Sequence, residues 1–535
     1  MQPHSRLVRT MIIRTVAAAV CAVALIVSGT PAQAQPRPGR ATARLDSGWV
    51  RGAAGAGVTV FSGIPYAAPP TGDRRFAPPA APEPWIGNRD ATAPSPSCPQ
   101  PGGFDAGGVR VAGQEDCLYL DAVVPRRSGH RRLPVIVWLH GGGMITGAAG
   151  QYDATRLASR GDAIVITANY RLGALGFLAT PALDAGGVDS GNYGLLDQHA
   201  VLRWVRTNAA ALGGDPGRVT LAGQSAGARS ACAHLAAPAA RGLFARAILQ
   251  SGPCAVPFLS RAEADRNGET ALAEVGCAGA ADPAGCLRAL PVADLAALLP
   301  DFGVPAARRP ERWGPVAGTT YLPEQPIAAL RRGSAAGVDL LLGTTRDESR
   351  SFVLTGYPNL TAEGYAAELR AVFGDDADAV RETYPAAESP SPVIALATVQ
   401  TDRTYACPGM ITARTASRYS RVYAYEFAED SGLMAGGQPM GATHGWDLPF
   451  LWTLRMPQAG YPDPTTAQAR LSDTMIDYWT AFAHRGRPAS PGAPQWPAFG
   501  PRSTVLGLST EAIRPVAFAD DHRCAFWAAI ERQER

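Results

Sequence analysis

Seven consecutive apolar residues, Leu133-Pro-Val-Ile-Val-Trp-Leu139, run directly into His140-Gly-Gly-Gly143. A strand with one face in water alternates apolar and polar side chains; an unbroken run has to be covered on both faces. Ala163-Ile-Val-Ile-Thr-Ala168 is a second such run. Further strands are predicted at 219–222, 245–249, 338–342 and 423–427, and hairpin strands at 42–60 around Asp46-Ser-Gly48 and Gly55-Ala-Gly57. Helical spacing occupies 195–208, 228–235 and 471–482, the last ending near Gly486. Strands alternating with helices predict an α/β protein: a large mixed, mostly parallel sheet with helices on both faces. Residues 255–335 and 350–420 carry helical patterns and Pro. No long polar linker sets them off, so they are expected as insertions over the sheet.

Composition excludes several chemistries. All 49 basic residues are Arg. Without Lys there is no P-loop lysine, no pyridoxal Schiff base and no Ser–Lys dyad. Arg6, Arg9 and Arg14 precede an apolar run, Val16 to Val27, and then Thr30-Pro-Ala-Gln-Ala34. Charged, apolar and small-residue zones in that order read as a secretory signal cleaved after Ala34. The run is too short for the roughly 20 residues of a membrane span. Residues 35–41 form a loose tail. The chain beyond the signal balances 46 Arg against 46 acids, which leaves no electrostatic footprint for nucleic acid. Export to the periplasm or medium, without stable membrane insertion after cleavage, is expected. Of nine Cys, Cys21 lies in the signal; eight remain, an even number in an oxidising compartment, and spacing alone does not fix their pairing.

The chemistry centres on Val219-Thr-Leu-Ala-Gly-Gln-Ser-Ala-Gly227, a strand entering Gly-x-Ser-x-Gly before a helix. Such a turn is so sharp that Cβ atoms at 223 or 227 would collide with it, and it lifts the Ser225 hydroxyl clear of the sheet. With 58 Gly in 535 residues the bare pattern arises by chance about 0.3 times, so its strand and helix context carries the weight. The Gly-rich loop after strand 133–139 offers the backbone N–H groups of a second oxyanion-hole element. A serine nucleophile needs a histidine base, and the base needs an acid. Of the histidines after Ser225, His234 sits on the helix leaving the turn, His484 at a helix end and His522 near the C-terminus. His444 lies in the Gly-flanked loop Gly441-Ala-Thr-His-Gly-Trp-Asp447 and is the candidate base. The acid should follow a strand; Asp347 and Glu348 both do, and either could instead pair with Arg346.

Together these pieces resemble the type-B carboxylesterase/lipase family, which includes the cholinesterases. The resemblance covers nearly all of 42–530. Its further motifs are Gly63-Ile-Pro-Tyr-Ala-Ala-Pro-Pro-Thr-Gly72 with Arg75-Phe76, Glu115-Asp-Cys-Leu-Tyr-Leu120, Asn169-Tyr-Arg-Leu-Gly173, Gly191-Asn-Tyr-Gly-Leu-Leu-Asp-Gln198, Gly213-Gly-Asp-Pro216 and Gln250-Ser-Gly252. The resemblance implies an α/β-hydrolase fold over 42–535 as one domain, with helical insertions over the active site. It implies a Ser225–His444–Glu348 triad and oxyanion donors at Gly142, Gly143 and Ala226; separately, the Cys and His spacing does not suit a metal and no cofactor motif is expected. The resemblance implies ion pairs Arg75–Glu115 and Arg171–Asp197, and bridges Cys98–Cys117, Cys277–Cys286 and Cys407–Cys524; Cys232–Cys254 is the pair left over. Gln224 stands where the family usually has Glu, Ser349 where it has Gly, Asp447 for Glu and Asp121 for Asn. The Cys98–Cys117 loop holds no Trp, which argues against choline esters. The expected activity is hydrolysis of a small-molecule carboxylic ester through an acyl-serine. The alternatives are an amide, thioester or lactone hydrolase, or a non-catalytic binding protein on the same fold. The sequence leaves the oligomeric state open.

Overall fold

The computed structural model describes residues 41–105, 108–126, 131–184, 187–301, 310–455 and 462–533. The expected signal and all but residue 41 of the tail lie outside them. Residues Arg40–Arg535 form one compact unit.

The main sheet has eleven strands. In chain order these are β1 (Ala53–Ala54), β2 (Val58–Pro65), β3 (Tyr119–Pro125), β4 (Leu133–Leu139), β5 (Ile164–Ala168), β6 (Gly214–Gln224), β7 (Arg246–Gln250), β8 (Asp339–Thr345), β9 (Val422–Phe427), β10 (Val505–Leu508) and β11 (Ile513–Val516). Their spatial order is β11-β10-β9-β8-β7-β6-β4-β5-β3-β2-β1. The strands from β5 to β10 pair in parallel, and antiparallel strands finish both edges. The predicted hairpin around Asp46-Ser47 forms a small separate sheet, with Leu45 opposite Gly48.

The apolar runs are explained by what covers them. All seven residues of β4 are buried. Leu133, Val135, Val137 and Leu139 enter one core, while Ile136 and Trp138 enter the other. The central strands repeat this split: Leu340 and Leu342 of β8 face one way and Leu341 the other. Helices α1 (Tyr193–Asn208) and α2 (Ala226–Ala236) fill the first core. Helices α3 (Pro392–Thr401) and α4 (Cys407–Ala416) belong to the second insertion, and the second core is filled mainly by the long helix α5 (Thr466–Arg485). A third core joins that insertion to α6 (Cys524–Gln533) through Val393, Leu396 and Trp527.

Disulfides join Cys98 to Cys117, Cys232 to Cys254, Cys277 to Cys286 and Cys407 to Cys524. Arg75 meets Glu115 at 2.6 Å, and Arg171 meets the fully buried Asp197 at 2.7 Å. Among the described residues no helix is long and apolar enough to cross a membrane.

Candidate active site

Ser225 sits between the end of β6 and the first residue of α2, at φ 56°, ψ −122°. A non-glycine residue holds such a conformation only when its surroundings impose it. Here the Ser225 N–H donates to the Gln250 carbonyl at the end of β7 (2.8 Å). A Cβ on Gly227 would collide with the Leu139 carbonyl at the end of β4, and one on Gly223 with the Gly227 backbone. The turn is therefore seated on both neighbouring strands, and the two glycines are what let it sit there. Ala226 opens α2, where the first N–H groups have no partner inside the helix.

The loop after β4 faces this turn. A Cβ on Gly141 would lie 3.2 Å from Ser225 Cβ and 2.7 Å from Gln224 Oε1. Gly142 and Gly143 have φ of 115° and 63°, which a side chain would oppose. The Gly142 carbonyl accepts from the N–H groups of Ile145 and Thr146 (3.0 and 2.9 Å), while among the described residues no acceptor is bonded to the N–H of Gly142 or Gly143. His140 anchors the loop as a neutral group. Its ring stacks on Tyr170 at 4.3 Å, and burial pushes its pKa down to about 4.

The acid and base approach from the other side of β7. Glu348, fully buried just past β8, accepts from the Thr345 N–H through Oε1 (2.9 Å) and meets His444 Nδ1 through Oε2 at 2.5 Å. Asp347 turns elsewhere: Oδ1 lies 2.7 Å from an Arg350 guanidinium nitrogen, and Oδ2 accepts from the Ala442 N–H at 2.9 Å. So the two adjacent carboxylates part company: Glu348 on the imidazole, and Asp347 on Arg350 and, at 3.4 Å, on Arg346 as the sequence allowed. Burial of Glu348 against Nδ1 makes this nitrogen the protonated one in the neutral ring, with the lone pair on Nε2. The polar neighbour at Nε2 is the Gln224 side-chain nitrogen, 3.1 Å away. Phe352 and Tyr405 pack on the ring at centroid distances of 5.2 and 5.3 Å. Asp447, three residues beyond the base, is fully buried. Its Oδ2 accepts from Gln250 (2.7 Å) and the Tyr425 hydroxyl (3.1 Å), and burial pushes its pKa up to about 6.

The other three histidines after Ser225 have structural partners. His234 bonds Tyr321 and Gln198, and His484 bonds the Gly161 carbonyl. His522 is buried between Asp402 (2.5 Å) and Glu426 (2.7 Å). Asp402 opens the π-helical turn 402–406 that delivers Tyr405 to His444. In the sequence Gln224 stands out only as an unusual residue before the serine, and nothing marks Tyr405 or Phe352. Aromatic residues in a helical insertion give no sign of which ring they will meet. Among the described residues no group of three or more His, Cys, Asp or Glu is placed to hold a metal ion.

The profile described as "Carboxylesterase family" matches residues 40–527. A fumonisin B1 esterase of Sphingopyxis macrogoltabida is 34% identical over 529 residues, covering 95% of this chain and 94% of that protein. A para-nitrobenzyl esterase of Bacillus subtilis (strain 168) is 35% identical over 465 residues, covering 84% and 91%. Among solved structures, a thermophilic PNB esterase superposes with a TM-score of 0.77 at 32% identity, covering 90% of this chain and 99% of that one.

Proposed function

Because the chain belongs to the carboxylesterase family, and is a carboxylic ester hydrolase by that membership, we propose that it works through an acyl-Ser225 intermediate with His444 as base and Glu348 as its acid. The observation that carries this reading is the 2.5 Å contact of Glu348 with His444 Nδ1, on a loop whose Nε2 side reaches the residue next to Ser225.

The Ser225 hydroxyl attacks the ester carbonyl and its proton passes to His444 Nε2. Glu348, held by the Thr345 N–H, keeps the ring oriented and balances the imidazolium charge. The N–H groups of Gly142, Gly143 and Ala226 receive the tetrahedral oxyanion, at about 3 kcal/mol per donor. Collapse expels the alcohol, which takes the proton from Nε2. Water then gives a proton to the same nitrogen as it attacks the acyl-enzyme; the second tetrahedral intermediate collapses, the acyl–Oγ bond breaks, Nε2 returns its proton to Ser225 Oγ, and the acid leaves. Residues 42–535 act as the single catalytic domain. Four disulfides suit an oxidising compartment, in keeping with export directed by residues 1–34.

Ser225→Ala is expected to lower kcat for an aryl ester by at least about a thousandfold with Tm unchanged. An organophosphate should label Ser225 in the parent protein, read by mass spectrometry of the peptide. Retained turnover in Ser225→Ala, or labelling elsewhere, overturns the assignment.

A further inference from the structure

Resting on the reading of Ser225, His444 and Glu348 as the triad, we propose that Gln224 is a positioning residue that holds the resting imidazole in the tautomer with its lone pair on Nε2, handing that lone pair to the Ser225 hydroxyl on attack, and so extends the esterase's working range to lower pH.

The geometry is specific. Gln224 is 4% exposed, and its amide nitrogen lies 3.1 Å from His444 Nε2. An amide NH2 group can only donate. Its partner must then be the lone pair of a neutral ring, the form that accepts the Ser225 proton. A protonated ring would set N–H against N–H, and the near-complete burial of Gln224 leaves little water to relieve the clash. Gln224 Oε1 borders the oxyanion loop, where a Cβ on Gly141 would fall 2.7 Å away, and Nε2 borders the histidine loop, where a Cβ on Gly445 would fall 3.6 Å away. Both loops close on Gln224 at positions that are glycine, so one side chain spans from the oxyanion loop to the base.

Charge around the ring gives the amide its consequence. The ionisable groups interacting with His444 are Glu348 after β8, Asp447 on the same loop and Tyr405 from the 402–406 turn. Burial keeps the Tyr405 phenol neutral by pushing its pKa up, and it holds the Asp447 carboxyl at about 6. A carboxylate at 224 would stand beside Nε2 and favour the imidazolium. An opposite charge within about 4–6 Å typically favours the charged form by about 1–3 pH units. The neutral amide withholds that bias and leaves the base free at lower pH.

The test is the pH profile of kcat/KM for a neutral aryl ester. Gln224→Glu is expected to move the acid limb up by about 1–3 pH units, with activity recovering on the alkaline plateau. Gln224→Met, of similar length but without the donor, is expected to lower kcat more than it changes KM and to move the limb far less. An acid limb in Gln224→Glu that superimposes on the parent overturns the proposal and leaves Gln224 a packing residue. If that variant does not fold, the nitrogen-15 spectrum of histidine-labelled parent protein decides. Near pH 8 the His444 Nε2 signal should be that of an unprotonated, hydrogen-bonded nitrogen; a protonated Nε2 overturns the proposal. Retained activity in Ser225→Ala overturns this proposal and the triad together, whereas an unmoved limb overturns this one alone.

Discussion

Replacing His522 by Gln tests the cluster behind the base. His522 lies between Asp402 and Glu426 at 2.5 and 2.7 Å, and Asp402 also accepts from the Tyr384 hydroxyl at 2.8 Å. Burial opposes a charged ring, but the hydrogen bonds and charges of the two carboxylates outweigh it and push the His522 pKa from 6.5 up to about 10. At 1.36 kcal/mol per pH unit, that rise favours the folded state by several kcal/mol in order of magnitude, offset in part because burial pushes the Asp402 carboxyl up as well. Deleting one partner of a buried pair costs about 3–5 kcal/mol by a separate route. The sign follows from the raised value. The folded protein holds a proton the unfolded chain has released, so this stability is complete below about pH 6.5 and is lost as pH rises through about 10. Guanidinium unfolding followed by tryptophan fluorescence, disulfides kept oxidised, reads the effect. Parent minus His522→Gln should be about 3–5 kcal/mol near pH 7 and should shrink steadily toward pH 10. A difference that stays constant from pH 7 to pH 10 would refute the reasoning, because a neutral His522 predicts no such slope.

Asp447 predicts a substitution effect of the opposite sign, with the same direction in pH. Its carboxyl, raised by burial from 3.8 to about 6, costs stability where it is ionised, so Asp447→Asn should gain up to about 3 kcal/mol at pH 8 and little at pH 4, read by unfolding midpoints at both values. The Cys407–Cys524 bridge spans 117 residues, and its conversion to two serines should lower unfolding free energy by about 4–5 kcal/mol if loop entropy dominates; an unchanged midpoint would place its effect elsewhere.

What the sequence disclosed is what local sterics and burial enforce. The strand 133–139 matches β4 residue for residue, because only a doubly covered strand is apolar throughout. Helix α5 ends at Gly486, at φ 67°, as its glycine signalled. It begins five residues earlier than the apolar spacing suggested, since its first turn is polar and marked instead by the Thr465–Gln468 capping box. Likewise β6 starts at Gly214, in a Gly-Asp-Pro-Gly stretch with no apolar pattern. The tight turn at Ser225 was legible because it demands glycine at fixed offsets. Asp347 and Glu348 were not separable by position alone, because adjacent residues leaving a strand point apart and only the ring's location chooses between them. The His522 cluster was illegible for another reason: its partners lie 120 and 96 residues away along the chain, and nothing local marks them.

The Ser225 turn rests against the carbonyl of Leu139, and Leu139 is also the residue from which the oxyanion loop departs. Nucleophile and anion cradle thus share one footing. A change at the end of β4 would therefore reach both at once, because the Gly227 backbone lies against the Leu139 carbonyl. Remodelling of the insertions can reshape what enters the cleft without retuning the distance at which the bond is broken.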